Sequence, residues 1–516
     1  MGYFQEVVID VTCQNLVFQA NLARASSIPK NQPGRIMTER ALCVHAHFYQ
    51  PLREDPFTGL IPPESGATPY KNWNERIHSE CYRPNAELGN FERISFNIGP
   101  TLIAWMQTFD PESCRLILAQ DQANFQRNGV GNAMAQSYHH TILPLATRQD
   151  KETQVIWGIE DFTHRFGHRP QGMWLPETAA DTETLEVLVE QGIEFTILAP
   201  WQADTPSLDP TEPYRVTLPG GRSIIVFFYH QELSGGISFN PALTANADAF
   251  AQIEVAARFN HEKALKGEPQ LLMIATDGEL YGHHQHFRDR FLAHLVNGAS
   301  LKAGYDISYP AAWLKNHQPR RSMSIRERTS WSCHHGVTRW QGECDCTSGD
   351  GRWKGYLRQG LNRLAAAMDT MYVEQLVSLR IKPWEMRNKY IQVLLGNISL
   401  AELVGDLRGE KVDSEQLARL QLLLEAQRYR QQMYMSCGWF FEDFGRIEPR
   451  NNVAYAAQAV NLMRMATGKD LTAQLIADLR YVSSQSTGLR GDTVFRNYLQ
   501  RATTEQLITT PSPVGA

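Results

Sequence analysis

The sequence contains no run of about 18 apolar residues and no short apolar segment of the kind that directs secretion. These absences predict a chain without a transmembrane helix. No charge of one sign dominates either, because 50 lysine and arginine residues face 55 aspartate and glutamate residues, for a net charge of -5. This near balance gives no electrostatic reason to expect binding to nucleic acid or to an anionic membrane.

Cysteine is scarce, with eight residues in a chain of 516. Three of them cluster between residues 333 and 346, and the others stand alone at positions 13, 43, 81, 114 and 437. Scattered thiols lack the regular spacing of a disulfide framework. The cysteine pattern and the absent secretion segment together predict a reducing, cytoplasmic setting.

A chain of this length exceeds one ordinary core, which predicts two or three domains. The predicted parts are a weakly ordered extension over 1–38, a β/α barrel domain over 39–350, a helical domain over 351–508 and a disordered tail over 509–516. Aromatic residues are plentiful, at 11 Trp, 18 Tyr and 22 Phe. They favour sugar binding only weakly, because aromatic rings also fill protein cores.

Strand and helix patterns alternate in the first part. Strands are predicted at 41–51, 193–199, 223–230, 271–277 and 307–309, and helices at 101–109, 112–126, 151–166, 181–192 and 247–266. Such alternation is typical of a parallel sheet, in a β/α barrel or an open α/β sheet. After residue 353 the pattern is helical, with helices predicted near 357–380, 384–405, 452–467 and 470–482 and one more behind an Asp413 cap.

Two apolar strands end abruptly in a carboxylate flanked by aromatic residues. Glu177 ends the stretch that begins at Gln171, and Asp277 ends the stretch that begins at Leu271. Side chains at the C-terminal ends of the strands form the active site of β/α barrels. Either acid alone could instead cap a helix or form a salt bridge. Together they suggest cleavage of a glycosidic bond, which uses a pair of carboxylates.

His45 and His47 lie two residues apart near the end of the first predicted strand, so both side chains project from the same face. Such a pair can hold a divalent metal or hydrogen-bond sugar hydroxyls. A buried histidine with satisfied hydrogen bonds explains one of the two better than both. The following segment, 51–82, is a long loop rich in Pro and Gly, and loops of this length in compact chains are usually functional.

Three cysteines and two histidines lie between Ser330 and Cys346. This composition could form a zinc site. The spacing C-x10-C-x-C lacks a C-x2-C pair, however, and favours a loop (330–346) that faces the substrate. In that interpretation, Trp331 and Trp340 supply surfaces on which sugar rings stack.

Four motifs, in order along the chain, resemble the signature regions of glycoside hydrolase family 57. They are His45-Ala46-His47 with Gln50-Pro51, His140–Leu145, Gly172–Glu177 and Asp277–His284. The likeness extends to Trp331–Cys346 and covers about residues 40–350, with most similarity to a bacterial amylase-like or mannosidase-like subgroup that carries an uncharacterised extra domain. It implies an α/β fold, an incomplete (β/α)7 barrel followed by an all-helical C-terminal domain.

The resemblance also implies roles for single residues. Glu177 matches the nucleophile of the family and Asp277 its acid/base, while the matches to substrate-contacting positions are His45, His47, His140 and Trp174. The rest of the predicted substrate-binding set is Trp201, Glu279, His283, Trp331 and Trp340. Two departures leave the sugar specificity open: Phe48-Tyr49 is inserted before Gln50, and Gln136-Ser137 stands where many members place a glutamate.

These assignments predict a retaining double displacement on α-linked glucans, of the amylase or 4-α-glucanotransferase type. The carboxyl oxygens of Glu177 and Asp277 should then lie about 5 to 5.5 Å apart. Glu279 could replace Asp277 as the acid. No metal or other cofactor is expected, and the predicted partner is an α-glucan or oligosaccharide. Whether water or a second glucan accepts the glycosyl group stays open, as does the oligomeric state.

A different class of enzyme uses similar residues. In a metal-dependent polysaccharide deacetylase, the ligands of a divalent ion that activates water would be His45, His47, Asp277 and His283 or His284. That interpretation gives Glu177 no role. A catalytically silent glucan-binding protein is a third possibility, and the presence of both carboxylates argues against it.

Overall fold

The structure is a computed structural model that describes residues 39–410 and 412–505. The predicted extension over 1–38 and the predicted tail over 509–516 lie outside these residues. None of the helices in the described ranges combines the length and apolarity needed to cross a bilayer.

Ten strands occur in the described residues, and most belong to one parallel system. They are β1 Arg40–Phe48, β2 Ser95–Ile98, β3 Ala135–Gln136, β4 Met173–Trp174, β5 Phe195–Leu198, β6 Tyr214–Thr217, β7 Ser223–Phe228, β8 Gln270–Asp277, β9 Asp306–Ile307 and β10 Arg321–Met323. Strand β1 is buried along almost its whole length, as expected for a strand covered on both faces.

Strands β1, β2, β3, β4, β5, β7 and β8 close into a ring. Parallel ladders join β8 to β1, β1 to β2, β3 to β4 and β5 to β7. The other three pairs of neighbouring strands make isolated contacts. The Met134 N–H donates to the Phe96 carbonyl at 2.7 Å between β3 and β2, and Gly172 pairs with Phe195 between β4 and β5. The His230 N–H donates to the Met273 carbonyl at 2.7 Å between β7 and β8. This ring of seven parallel strands with interrupted ladders is the predicted incomplete (β/α)7 barrel.

Helices surround the ring. The longer ones are Pro100–Phe109, Pro111–Asn128, Arg148–Phe166, Thr182–Glu190, Gln231–Phe239, Arg288–His294 and Pro310–Asn316. Local sequence explains their ends: the Asp181 side chain accepts from the Thr184 N–H at the start of one helix, and Gly129 and Gly167 end two others at φ 69° and 73°. The predicted helices over 101–109, 112–126 and 151–166 are confirmed to within a few residues.

The single helix predicted over 247–266 is wrong. The chain stays helical from Ala247 to Arg258, with a wider π-type turn over Phe250–Val255 and a tighter 3-10 turn over Ala256–Arg258, and a second helix follows at His261–Leu265. Phe259 is extended, and the Asn260 side chain then accepts from the Lys263 N–H and begins a new helix. An internal N-cap therefore overrides the helical periodicity.

All regular elements described after residue 350 are helices. They are Arg352–Ser378, Pro383–Lys389, Ile391–Leu394, Leu400–Arg408, Ser414–Gln432, Cys437–Phe440, Ile447–Thr467, Thr472–Leu479 and Gly491–Glu505. The predicted helix over 384–405 is interrupted after Leu394, because Gly396 takes φ 72° and Ser399 then forms a capping box with Glu402.

Three apolar clusters hold the described residues together. The first lies between the barrel strands and the surrounding helices, the second fills the helical region after residue 350, and a smaller third cluster, with Cys43, Trp174 and Met273, fills the barrel interior. The second core also takes side chains from the first part of the chain, among them Trp157, Cys333 and Trp340. Segment 330–346 thus packs against the helical region, and the predicted domain boundary at residue 350 stays a prediction.

Candidate active site

A cavity of about 1150 Å³ lies at the C-terminal ends of the barrel strands. The side chains that line it come from the end of β1 (His47), the turn after β4 (Glu177), the turn after β5 (Trp201), the end of β7 (Tyr229) and the end of β8 (Asp277). The carboxyl ends of parallel strands meet at one face of a barrel, which is why residues so distant in sequence share one cavity.

Two further regions complete the wall. The long segment 51–82, predicted to be functional, contributes Arg53, Glu64, Trp73 and Ile77. The helical region contributes Cys437, Phe440, Phe441, Arg446 and Glu448, which sequence reasoning did not identify. No local pattern marks these residues, because only the docking of the helical region on the barrel brings them to the cavity.

The turn that carries Glu177 is strained. Glu177 and Thr178 take φ values of 59° and 48°, in the left-handed region where a residue other than glycine costs about 1–3 kcal/mol. Other contacts hold the turn in place: the Thr178 hydroxyl donates to Gln202 Oε1 at 2.7 Å, and the Trp331 N–H donates to the Glu177 carbonyl at 3.0 Å. Strain that the surroundings enforce is a frequent feature of functional sites.

Segment 330–346 supplies two donors to the Glu177 carboxylate. Trp331 Nε1 and the Ser332 hydroxyl both donate to Oε2, at 2.9 and 2.6 Å. Burial raises the pKa of Glu177, while these two hydrogen bonds and the charge of Arg339 act in the opposite direction. An oxygen that accepts two hydrogen bonds is well suited to carry negative charge. Ser332 was not predicted, although its neighbour Trp331 was.

Asp277 lies beside His47, its register partner on β1. Its side chain opens to the cavity, yet the cavity is deep enough that burial is the main cause of a pKa raised to about 8. The charges of Glu279 and then Glu177 raise it further. Two hydrogen bonds thus support the charged form of Glu177, whereas two neighbouring charges favour the protonated form of Asp277; the nucleophile and acid roles of the two residues stay predictions.

Glu279 is the third acid of the cavity. It is buried, and burial is the main cause of a pKa raised to about 7. Its Oε1 accepts from the Tyr82 hydroxyl at 2.7 Å and from the Tyr49 N–H at 3.1 Å. Tyr49 belongs to the Phe48-Tyr49 insertion, so this departure from the family pattern contributes directly to the site.

Neutral imidazoles and aromatic rings stack along one wall. The ring of His140 lies 3.7 Å from that of Tyr49 and 5.2 Å from that of His47, measured between centroids. Burial lowers the pKa of His47 to about 3 and that of His140 well below its usual value. His140 Nδ1 is 2.6 Å from the hydroxyl of Ser436, which ties this wall to the helical region.

His45 and Trp174 lie behind the wall rather than on it. Both are fully buried, and their rings stack at 4.7 Å. Trp174 stacks in turn on His47 at 5.1 Å, and His45 Nδ1 is 2.9 Å from the Ser95 hydroxyl. Neither residue lines the cavity, because both pack behind His47, and their predicted contact with substrate stays a prediction.

Two further residues that were predicted to contact substrate do not line the cavity either. Trp340 has no exposed surface and packs in the core of the helical region. His283 Nδ1 pairs with Glu80 Oε2 at 2.5 Å and does not line the cavity, whereas its neighbour His284 does. The predicted residues that do line it are His47, His140, Glu177, Trp201, Asp277, Glu279 and Trp331.

The geometry does not support a deacetylase-type metal centre. Both ring nitrogens of His47 are engaged, Nδ1 with Asn97 and Nε2 with His140 Nε2 at 3.2 Å. Within residues 39–410 and 412–505, one set of side chains converges as metal ligands do, and it consists of Cys333, His335, Cys344 and Cys346. His45, His47 and Asp277 do not form such a set, so the arrangement of the described residues favours the glycosidase interpretation over the deacetylase alternative.

Fold and cavity together define a β/α-barrel protein with an acidic, aromatic-lined pocket at the C-terminal ends of its strands. Residues 35–326 match the sequence profile of "Glycosyl hydrolase family 57", and residues 350–508 match that of a "Domain of unknown function (DUF3536)". The chain belongs to glycosyl hydrolase family 57, as the four motifs predicted.

Relatives of known function are distant in sequence. An alpha-amylase from Pyrococcus horikoshii is 24% identical over 254 residues, which are 48% of this chain and 35% of the relative. A 4-alpha-glucanotransferase from Thermococcus litoralis is 25% identical over 174 residues, 32% of this chain and 25% of the relative. The chain thus spans about a third or less of the length of these relatives.

Solved structures resemble the chain over most of its length. An exo-type maltose-forming amylase from Pyrococcus sp. ST04 aligns with a TM-score of 0.71 and 16% identity, over 89% of this chain and 88% of that one. A GH57-type branching enzyme from Pyrococcus horikoshii aligns with a TM-score of 0.58 and 15% identity, over 92% and 98% of the two chains. At these identities the likeness shows the fold: a (β/α)7 barrel followed by helices.

Proposed function

We propose that the chain is a retaining glycoside hydrolase or glycosyl-transferring enzyme that acts on α-linked glucans. One observation carries the proposal: Glu177 and Asp277 line a single cavity, where two side chains donate hydrogen bonds to the Glu177 carboxylate and no side chain of the described residues donates one to Asp277. A double displacement needs an ionised nucleophile and a protonated acid at the same moment. Family membership supports the same chemistry.

In the first step, Glu177 attacks the anomeric carbon and forms a glycosyl ester while the bond to the leaving oxygen breaks. Asp277 gives its proton to that oxygen. In the second step, Asp277 takes a proton from water or from the hydroxyl of an acceptor sugar, whose oxygen attacks the anomeric carbon and releases Glu177. The donors Trp331 and Ser332 stabilise the carboxylate before attack and after release.

The substrate proposal depends on the cavity wall and on the relatives. Aromatic side chains from every side offer flat apolar faces for sugar rings, among them Trp73, Trp201, Tyr229, Trp331 and Phe440. The relatives described as alpha-amylase and 4-alpha-glucanotransferase make an α-glucan the first candidate, with water or a second glucan as acceptor. A cytoplasmic location remains a prediction.

The test is a product profile on maltooligosaccharides, with mannan and acetylated oligosaccharides as alternative substrates. We expect shorter or redistributed α-glucans from the first substrate and no release of acetate from the last. Proton NMR of the initial products should show the α-anomer, since two displacements restore the starting configuration. Initial β-anomer would mean inversion and would remove the nucleophile role of Glu177.

Matched variants separate the site from the rest of the chain. Glu177→Gln and Asp277→Asn should lose activity, whereas Glu262→Gln, on an exposed helix away from the cavity, should keep it. Acetate release that survives in Glu177→Gln would overturn the proposal in favour of an esterase-type reaction.

A further inference from the structure

We propose that Cys333, His335, Cys344 and Cys346 bind one zinc ion, and that this ion holds the segment that contacts Glu177. The four ligand atoms all lie within 4.8 Å of one another. Three thiolates and one imidazole form a common structural zinc site in proteins. The inference does not depend on the proposed reaction, because it concerns a cluster outside the cavity.

The distances between ligand atoms fit a tetrahedral ion. Cys333 Sγ and Cys344 Sγ are 3.5 Å apart, and His335 Nδ1 lies 3.2 Å from Cys344 Sγ and 3.5 Å from Cys346 Sγ. Zinc–sulfur bonds of about 2.3 Å and zinc–nitrogen bonds of about 2.0 Å place tetrahedral ligands roughly 3.5 to 3.8 Å apart. A disulfide needs sulfurs about 2 Å apart, so the separation of Cys333 and Cys344 fits shared ligation better.

The local chain is shaped to bring the ligands together. Gly336 follows His335 with φ 78°, and a Cβ there would stand 2.4 Å from the carbonyl oxygen of Arg328. Only glycine can make this turn without a clash. The Ser330 hydroxyl donates to the Gly336 carbonyl at 2.6 Å, and Arg339 Nη2 donates to the Cys346 carbonyl at 2.8 Å. These two hydrogen bonds fix the backbone at both ends of the ligand cluster without an ion.

The cluster lies next to the catalytic turn. Trp331 and Ser332, which donate to the Glu177 carboxylate, immediately precede Cys333. The preceding Ser330 carbonyl accepts from Trp201 Nε1 at 2.9 Å. On the other side, Lys354 in the first long helix of the helical region donates to the Thr347 hydroxyl at 3.1 Å. An ion at the cluster would therefore fasten a cavity-lining segment to the scaffold on both sides.

This assignment corrects one part of the prediction for segment 330–346. Trp331 does face the cavity, as expected, but the cysteines and His335 point to a cluster of their own. The spacing C-x10-C-x-C looked unfavourable because it omits the intervening histidine. With His335 included, two short ligand pairs, C-x-H and C-x-C, are joined by a linker of eight residues, which resembles the paired arrangement of zinc ligands in small domains.

Metal analysis of the full chain tests the proposal without any activity assay. The protein is produced without a histidine tag and purified without chelator. Its zinc and iron contents are measured by inductively coupled plasma mass spectrometry. We expect one zinc per chain. Cys344→Ser and Cys346→Ser should lose most of it, while Cys114→Ser, on a helix far from the cluster, should retain it. Circular dichroism establishes that each variant is folded.

A second measurement keeps the proposal testable if the cysteine variants misfold. The wild-type chain is stripped with a chelator and reloaded with cobalt(II), whose tetrahedral thiolate complexes absorb strongly in the visible and near-ultraviolet. We expect one equivalent to saturate the signal and zinc to displace it. Hydrogen exchange at the amides of Trp331 and Ser332 should accelerate in the stripped protein and slow again on reloading.

Three results would overturn the proposal. They are a wild-type chain with no bound zinc and no cobalt signal, zinc content unchanged by both Cys344→Ser and Cys346→Ser, and a mass 2 Da lower that maps to a Cys333–Cys344 disulfide. Retained zinc with an inactive enzyme would count against the proposed function and leave the metal site standing.

Discussion

The two acids of the cavity reach it by opposite structural means. Asp277 ends a regular strand that pairs with β1 along its whole length, and among the described residues no side chain donates a hydrogen bond to its carboxyl. Glu177 lies on a strained left-handed turn and accepts two hydrogen bonds from a segment about 150 residues further along the chain. Burial without donors raises the pKa of a carboxyl group and hydrogen-bond donors lower it, so one cavity gives its two acids different electrostatic surroundings.

Replacement of the nucleophile should have the largest effect. Glu177→Ala removes the group that forms the glycosyl ester, and we expect kcat to fall by about 10⁴-fold or more, the order seen when a covalent nucleophile is deleted. Added azide should restore part of the rate by entering the vacated space and should yield a glycosyl azide of inverted configuration. Full activity in Glu177→Gln would show that another group attacks.

Replacement of the acid should have a smaller and substrate-dependent effect. Asp277→Asn should lower kcat by about 10²- to 10⁴-fold on natural glucans, because protonation of the leaving oxygen is lost. With an activated nitrophenyl leaving group, which needs no proton, the first step should be nearly unaffected. If Glu279→Gln showed this pattern and Asp277→Asn did not, Glu279 would be the acid.

Loss of one donor to Glu177 should be milder still. Ser332→Ala removes the 2.6 Å hydrogen bond to Oε2, and a hydrogen bond to a charged group contributes about 1.5–3 kcal/mol, so kcat/KM should fall by about 10- to 100-fold. The acid limb of the pH profile should move to higher pH, because the ionised form of Glu177 loses support. Ser348→Ala, at an exposed position of the same region, is the matched control. An unchanged acid limb would show that the donor does not set the charge of Glu177.

The smallest effect should be a shift of the alkaline limb in the pH profile of kcat/KM. Asp277 must be protonated, and with its pKa raised to about 8, activity should decline as the pH rises through this value. The charge of Glu279 is the second cause of that rise, so Glu279→Gln should move the limb to lower pH. Kinetic pH profiles of kcat/KM measure both. A limb that stays in place would mean that Glu279 is itself protonated over this range.

The pH dependence of the free energy of unfolding gives an independent check on the raised pKa of Asp277. An acid whose folded pKa lies above its unfolded value binds more protons in the folded state, so its contribution to the free energy of unfolding declines between about pH 4 and pH 8. Asp277→Asn should remove this dependence. Urea unfolding at pH 5 and pH 8 would show a smaller difference for the variant than for the wild type.

Much of the barrel could be predicted because its signals are local. The apolar stretch before Asp277 is a strand, and Asp181 begins a helix, because backbone pairing and capping depend on neighbouring residues. The helices over 247–266 and 384–405 were misjudged where internal caps at Asn260 and Ser399 interrupt the periodicity. Asparagine and serine are strong N-cap residues, so such caps can be recognised in the sequence.

The assignment of site residues was less complete for a different reason. His45, Trp174 and Trp340 have the chemistry of sugar-binding residues, yet burial removes all three from the cavity. Whether a tryptophan packs in a core or faces a ligand depends on which other elements of the fold pack against it, and the local sequence does not specify those elements.

From the sequence alone one can determine the strands, the acids at their ends and the family, since alternation and motif spacing are properties of neighbouring residues. The electrostatic surroundings of the two acids depend on the tertiary structure, because burial and the donors Trp331 and Ser332 act across about 150 residues of chain. It also decided that three cysteines and His335 converge, since a turn at Gly336 and a following helical turn reverse the chain between them.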